Sequence, residues 1–221
     1  MSVYVPQTKA PKKGNPYYDS DKNIFTASGF PRPNCTTQVE GEWMERYGVP
    51  TGCLSCAGGW IDDIKKYNLK WKVSQTPQLG AIAVWKVQGT KEDGHVATVE
   101  QIFENVDINT SNSAHKGTMW WMERFKAGFN YNWTSKITGK KYIFQGFILP
   151  PVEHTEPSAT LHATAAIQFR RNPNELGNRL DSLKKGDEFL YDGTFKIVQN
   201  TKWLRGIHNG VLGWASARFL R

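Results

Sequence analysis

Three prolines and a run of small polar residues, LPPVEHTEPSATLHATAA at 149–166, interrupt a chain whose apolar residues are periodic on either side. Proline fixes φ and removes a backbone donor, so no helix and no central strand runs through such a stretch. The 221 residues therefore divide into a larger part, 1–150, a linker, 151–164, and a smaller part, 165–221. In the larger part Val39, Trp43 and Tyr47 recur at i, i+4 and i+8, and Trp60, Ile64 and Tyr67 at i, i+4 and i+7, which predicts amphipathic helices over 36–47 and 57–67. Downstream the period changes to short β-branched or aromatic runs at 81–85, 95–103, 106–111 and 142–149, separated by Gly, Asn and Asp. Helices followed by antiparallel strands make an α+β domain. Beyond the linker, runs at 167–169, 188–191, 195–198, 203–207 and 211–215 alternate with turn signals such as Asp-Gly and Asn-Gly, which describes a small all-β barrel.

Composition narrows the class. Nine Trp, eight Tyr and eleven Phe within 39% hydrophobic residues exclude a disordered or fibrous chain. No apolar run reaches the roughly 18 residues of a membrane span. The opening MSVYVPQTKAPKKGNPYY has no apolar segment behind its charges, so no export signal is expected either. The formal net charge of +8 is shared by both parts, with 18 basic and 13 acidic residues up to Pro150 and 10 and 7 after it. Such a balance directs the chain toward a polyanion: nucleic acid, an acidic membrane surface or an anionic cell wall. Three cysteines, Cys35, Cys53 and Cys56, are too few for a disulfide framework, and at least one thiol is left over.

That leftover thiol is a candidate nucleophile. Cys35, in PRPNCTTQV, stands directly before the first helical pattern, where unpaired N–H groups and the helix dipole favour a thiolate and lower its pKa. The alternative is a small buried hydrophobe. His95 opens the strand GHVATVEQIF, whereas His154 and His162 fall in the linker, His208 in the barrel and His115 in a loop. His95 is thus the candidate base, its alternative being a strand-edge ring that only bonds a carbonyl. Asn112 ends the following strand, and in an antiparallel pair the start of one strand neighbours the end of the next, so Asn112 can orient His95. Glu100, five residues from His95, points to the opposite face.

The set NPYY (15–18), PNCTTQV (33–39), LGAIAVW (79–85), GHVATVE (94–100) and TSNSA (110–114), followed by an aromatic segment and FQGFILP (144–150), resembles the CHAP domain over about residues 14–150. These cysteine, histidine-dependent amidohydrolases/peptidases are papain-like peptidoglycan hydrolases. The resemblance implies Cys35 as nucleophile, His95 as general base and Asn112 as orienter. Many relatives carry Glu two residues before that Asn, and here the position is Thr110. Some relatives bind calcium through acidic residues ahead of the nucleophile. Asp19 and Asp21 are spaced like two such oxygen ligands, but the rest of a calcium loop is missing, so no cofactor or metal is expected, with calcium as the alternative. Cys53 and Cys56, in Cys-Leu-Ser-Cys, form half a zinc site with no second pair and read as structural or as an occasional disulfide. Past the linker, LKKGDEFLYDG (183–193) and KWLRGIHNGVLGWASARFL (202–220) resemble a bacterial SH3-like cell-wall-binding module. By that resemblance Tyr191 and Trp203 contact wall peptide or glycan, while Trp214 fills the barrel core.

The implied activity is cleavage of an amide bond in the wall peptide, either N-acetylmuramoyl-L-alanine amidase or endopeptidase, by a cysteine nucleophile. Expected partners are Gram-positive peptidoglycan and anionic wall polymers rather than nucleic acid, with the chain a monomer. Lacking an export signal, it fits a bacteriophage endolysin held in the host cytoplasm until holin lesions release it to the wall. A bacterial autolysin, a related D-glutamyl wall peptidase and a non-catalytic wall-binding protein are the alternatives.

Overall fold

The computed structural model describes residues 2–136, 138–152, 154–155, 159–174 and 178–221. A two-residue strand β1 (Ser2–Val3) precedes three helices, α1 (Pro16–Asp19), α2 (Ile24–Ala27) and α3 (Cys35–Tyr47). Each begins behind an asparagine, Asn15, Asn23 and Asn34, whose side chain accepts from amides of the first turn. Helix α3 stops at Gly48, whose φ of 70° is the left-handed conformation a helix terminus favours in glycine. A 3₁₀ turn at Ala57–Gly59 leads into α4 (Trp60–Lys66). Strands β2 (Val73–Ser74), β3 (Ile82–Val87), β4 (Gly94–Ile102), β5 (Ile108–Asn112), β6 (Trp121–Phe125), β7 (Trp133–Thr134) and β8 (Lys141–Ile148) follow. The chain closes with β9 (His154–Thr155), β10 (Ala159–His162), β11 (Ile167–Arg170), β12 (Arg179–Leu183), β13 (Glu188–Val198), β14 (Thr201–His208) and β15 (Val211–Ser216). Two compact units result, Pro6–Glu153 on the one hand and Met1–Val5 with His154–Arg221 on the other.

In the unit Pro6–Glu153 an antiparallel sheet runs β2-β8-β3-β4-β5-β6, with β7 added beside β8. Successive residues of a strand point to opposite faces, and both faces of this sheet are covered. Ile82, Val84, Val96 and Ile148 pack beneath Val39 and Trp43 of α3 and Trp60 of α4. Trp85, Ala97, Val99, Phe125 and Phe147 form a second core on the other face. The α+β class expected from the sequence is the class observed, with strand β6 and the short helices α1 and α2 in addition.

Helix α3 is buried on all sides from Cys35 to Trp43, so its polar residues need partners of their own. The fully buried Asn23 donates to the carbonyls of Tyr17 and Thr37 at 2.9 Å each, tying α1 and α3 to the start of α2. Gly41 is required by Tyr18, whose ring would stand 2.4 Å from a Cβ at that position. Farther along, Glu42 accepts from Arg46 at 2.6 Å and from the Ser111 hydroxyl of β5 at 3.0 Å. Glu100 of β4 accepts from Arg46 at 3.2 Å and from the Gln7 amide at 2.7 Å. Helix and sheet are thereby joined through a buried acid pair.

Burial, and then the neighbouring Glu42, hold the Glu100 carboxyl well above the usual carboxylate range, with Arg46 opposing them. A carboxyl whose pKa is raised on folding keeps its proton in the folded state after the unfolded chain has released one. Its contribution is present below the unfolded value of roughly 4.3 and is lost as pH rises through the folded value. We expect the protein to lose denaturant resistance relative to Glu100→Gln as pH rises above the unfolded carboxyl value. Parallel pH profiles for the two proteins would dismiss this role.

In the unit Met1–Val5 with His154–Arg221, β1 lies parallel to β9, pairing Ser2 with His154 and Val3 with Thr155. The six-stranded antiparallel sheet runs β10-β13-β14-β15-β11-β12 around Phe169, Leu183, Phe189 and Leu204. The barrel expected from the sequence is not what the pairing shows: among the described residues the path is open, and no ladder joins β10 to β12. The expected linker 151–164 is corrected as well. Strands β9 and β10 fall inside it, because Ala159–His162 alternates in the manner of a strand and pairs with Glu188–Tyr191 of β13. His154 also lies there, with its side chain outside the description, as are Glu153 and residues 156–158 entirely. Arg205 and Asp192 form an ion pair at 2.5 Å where β13 bulges, merging the two short strands expected at 188–191 and 195–198 into one.

Candidate active site

Cys35 is the first residue of α3. The Asn34 side-chain oxygen accepts from the Thr36 amide at 3.0 Å and the Thr36 hydroxyl at 2.8 Å, which sets where the helix begins. The thiol is 8% exposed, packs in one cluster with Val96, and feels the backbone amides of Val96, Thr36 and Cys35 itself. Val96 follows His95 in β4, so the sulfur lies against that strand at the residue beside the histidine. The lowered thiol pKa expected from the helix N-terminus is not found. Burial pushes it up to about 11, and the three amides only partly offset that. Withdrawing a thiolate from water outweighs the dipole here.

His95 is buried between indoles. The Trp121 ring stacks at 6.1 Å and 24°, that of Trp133 meets it edge-on at 5.9 Å, and Trp85 lies 5.9 Å away. Tyr142 in turn stacks on Trp133 at 4.0 Å. Burial lowers the His95 pKa to about 4, with the hydrogen bond to Asn112 opposing it. That bond joins His95 Nε2 and Asn112 Oδ1 at 3.0 Å. The Asn112 Nδ2 faces acceptors, the carbonyls of Thr110 at 2.8 Å and Trp121 at 3.4 Å and the Thr110 hydroxyl at 3.0 Å. With its amide end so placed, Asn112 presents its oxygen to His95. Nε2 must then carry the proton, and Nδ1 keeps a free lone pair.

The start of β4 is held by close backbone contact. Gly58 donates to the Glu92 carbonyl at 2.9 Å, and a Cβ on Gly94 would lie 2.0 Å from the Trp85 oxygen and 2.5 Å from the Gly58 Cα. The loop leading to Gly58 is fixed by Asp63, which accepts from the amides of Leu54 and Ser55 at 2.8 Å and the Ser55 hydroxyl at 2.7 Å. All three cysteines are free thiols, Cys53 buried and Cys56 exposed.

The structure brings in residues that the sequence did not single out. His115, placed in a loop by sequence, accepts at Nδ1 from Asn34 Nδ2 at 3.1 Å, and Lys116 donates to the Pro33 carbonyl at 3.2 Å. The β5–β6 loop thus closes on the segment before Cys35. No local signal identifies this contact across 81 residues. Trp121 and Trp133 were legible only as an aromatic segment.

Asp19 is engaged within the fold. Its carboxylate is taken by Arg32 at 2.6 and 2.9 Å and by the Gly14 amide at 2.7 Å. Burial raises its pKa, but these bonds outweigh it and hold the carboxyl below the usual range. Among the described residues no three His, Cys, Asp or Glu converge as a metal site would require. No helix among them is long and apolar enough to cross a membrane.

In the other unit Tyr191 is half-buried against the core. Trp203, also expected to contact wall glycan, is 4% exposed in β14. Trp214 is buried too, with the Lys196 ammonium 5.6 Å from its ring centre.

Comparison with solved structures finds similarity to an N-acetylmuramoyl-L-alanine amidase from Staphylococcus aureus, at 24% identity and a TM-score of 0.37 over 52% of this chain and 31% of that one. The chain therefore spans about a third of that amidase's length. It is also similar to Ly7917, at 21% identity and a TM-score of 0.37 over 84% of this chain and 83% of the other. Ly7917 with the hydrolyzing product of MDP matches at 20% identity and a TM-score of 0.38, over 84% of each chain. No curated protein matches the sequence. Residues 25–114, which contain Cys35, His95 and Asn112, match the family model of the CHAP domain.

Proposed function

We propose that the unit Pro6–Glu153 hydrolyses an amide bond of peptidoglycan with Cys35 as nucleophile, His95 as general base and acid, and Asn112 as the residue that orients it. The observation that carries this reading is the His95–Asn112 hydrogen bond, whose direction leaves His95 Nδ1 unprotonated beside the strand position that Cys35 touches. Nδ1 takes the thiol proton as sulfur attacks the amide carbonyl carbon, then gives that proton to the leaving nitrogen as the C–N bond breaks. Water attacks the resulting thioester, passes a proton to His95 and restores the thiol. The Cys35 amide, at the first position of α3 with no intrahelical partner, is suited to receive charge on the carbonyl oxygen.

Mass spectrometry of fragments released from purified Gram-positive walls tests the proposal. A new amine at L-alanine marks an amidase and one within the peptide an endopeptidase. New reducing sugar ends without a new amine would refute both. We further propose that the protein is a phage endolysin, the unit Met1–Val5 with His154–Arg221 acting as an SH3-like wall-binding module; the match over 25–114 and the shared positive charge favour such a substrate.

The reactive pair in this scheme is a thiol and a neutral imidazole rather than a thiolate and an imidazolium. Protonation of His95 removes the base, so kcat/KM should fall with acid only near its pKa of about 4 and hold nearly level toward the thiol pKa of about 11. An acid limb near the free imidazole value of roughly 6.5 would contradict the buried, neutral base.

A further inference from the structure

We propose that Thr110 is a positioning residue that sets the tautomer of His95 through Asn112, an inference that rests on the hydrolytic role assigned to His95 above. A carboxamide has nearly the same shape with its oxygen and nitrogen exchanged, so only its neighbours decide which end meets the imidazole. If Asn112 were reversed, its NH₂ would face His95 Nε2, the proton would move to Nδ1, and the nitrogen needed to accept from Cys35 would be blocked.

Thr110 and Asn112 are two apart on β5 and share a face of the sheet. Both are fully buried, so no solvent competes for their hydrogen bonds. Thr110 meets Asn112 Nδ2 twice, through its carbonyl at 2.8 Å and its hydroxyl at 3.0 Å. A hydroxyl can donate or accept, and alone it would not choose an orientation. Here its one proton is used on the Glu123 carbonyl at 3.3 Å, across the β5–β6 ladder in which Thr110 and Glu123 are paired. The Thr110 oxygen is thereby left as an acceptor toward Asn112. A single direction runs through the set: Thr110 donates to Glu123, Asn112 donates to Thr110, and His95 donates to Asn112.

The hydroxyl is separable from the rest of the residue. Thr110→Val keeps the branched shape and the backbone carbonyl but removes the acceptor and the bond to Glu123. We expect kcat on wall fragments to fall about five-fold with KM unchanged, as for one lost buried hydrogen bond, and Thr110→Ser to restore it. Nitrogen-15 NMR of the His95 ring supplies a readout that packing alone would not move. The unaltered protein and Thr110→Ser should show the Nε2-protonated tautomer, and Thr110→Val a measurable share of the Nδ1-protonated one, with the Thr110 and Trp121 carbonyls still facing Asn112 Nδ2. Thr110→Cys, similar in size and a poor acceptor, should behave like Val and serves if Val does not fold.

A single Nε2-protonated tautomer and unchanged kcat in Thr110→Val would overturn the proposal, as would equal losses in Val and Ser. Should the unaltered protein release no amine from walls, the hydrolytic reading fails, whereas the NMR comparison still decides whether Thr110 directs the tautomer.

Discussion

Cys35→Ala is expected to abolish wall hydrolysis, a loss of at least about 1,000-fold, while the protein stays folded. The alanine leaves His95, Asn112 and the aromatic surround in place but provides no atom to form the thioester, and losing the nucleophile of a cooperating set removes most of the rate advantage at once. Sulfur contributes little to the fold at this position. Removing it from a small side chain should cost about 1 kcal/mol, within what single domains tolerate. A thermal melt recorded beside turbidity loss of a wall suspension separates the two effects, and Cys56→Ser, at an exposed thiol, supplies the control. Full lysis by Cys35→Ala would eliminate the enzyme proposed here and favour a wall-binding protein that keeps the fold.

The second large effect is expected at a residue that has no side chain to take part in the reaction. In Gly94→Ala the new methyl would sit 2.0 Å from the Trp85 carbonyl oxygen and 2.5 Å from the backbone of Gly58, and neither neighbour is the end of a flexible side chain. Overpacking against backbone costs up to about 3 kcal/mol, relieved only by moving β4 or the 3₁₀ turn. His95 is the next residue, so the relief displaces the base, and a shift of about 1 Å is worth roughly 100-fold in rate. Gly89 in the same hairpin makes the contrast. It has φ +83° and open space where a Cβ would go, so Gly89→Ala meets backbone strain alone and should cost about 1 kcal/mol with little change in lysis. If the two alanine variants melt and lyse alike, crowding at Gly94 is not what positions His95.

How far the site can be read from sequence follows from the range of each interaction. Asn34 before a helical period marks the start of α3 and hence places Cys35, because a cap is local. The placement of Asn112 beside His95 needs only the antiparallel rule applied to two neighbouring strands. The state of charge is another matter. The burial that raises the Cys35 pKa involves Phe25 of α2, and the burial that lowers that of His95 involves Trp121 and Trp133, residues whose arrival no local pattern announces. Trp203 shows the same limit in the other unit. Its type suggests a ligand platform, but the ring is buried, and which face of a strand is covered is settled by elements remote in sequence. The composition of 151–164, read as a linker, conceals β10 because proline and small residues speak for the stretch as a whole, whereas Ala159–His162 alternates within it.

The pairing of β1 with β9 bears on how this protein can be re-engineered. Because Met1–Val5 belong with His154–Arg221, the unit that carries Cys35 is an insert within the other unit and not the first bead of a string. Exchanging either one for a foreign counterpart calls for two splice points, one after Val5 and one before His154. A chimera joined only at the second would keep Ser2–Val3 but discard the strand they lie beside, and grafting 154–221 alone onto another enzyme would leave β9 without its neighbour.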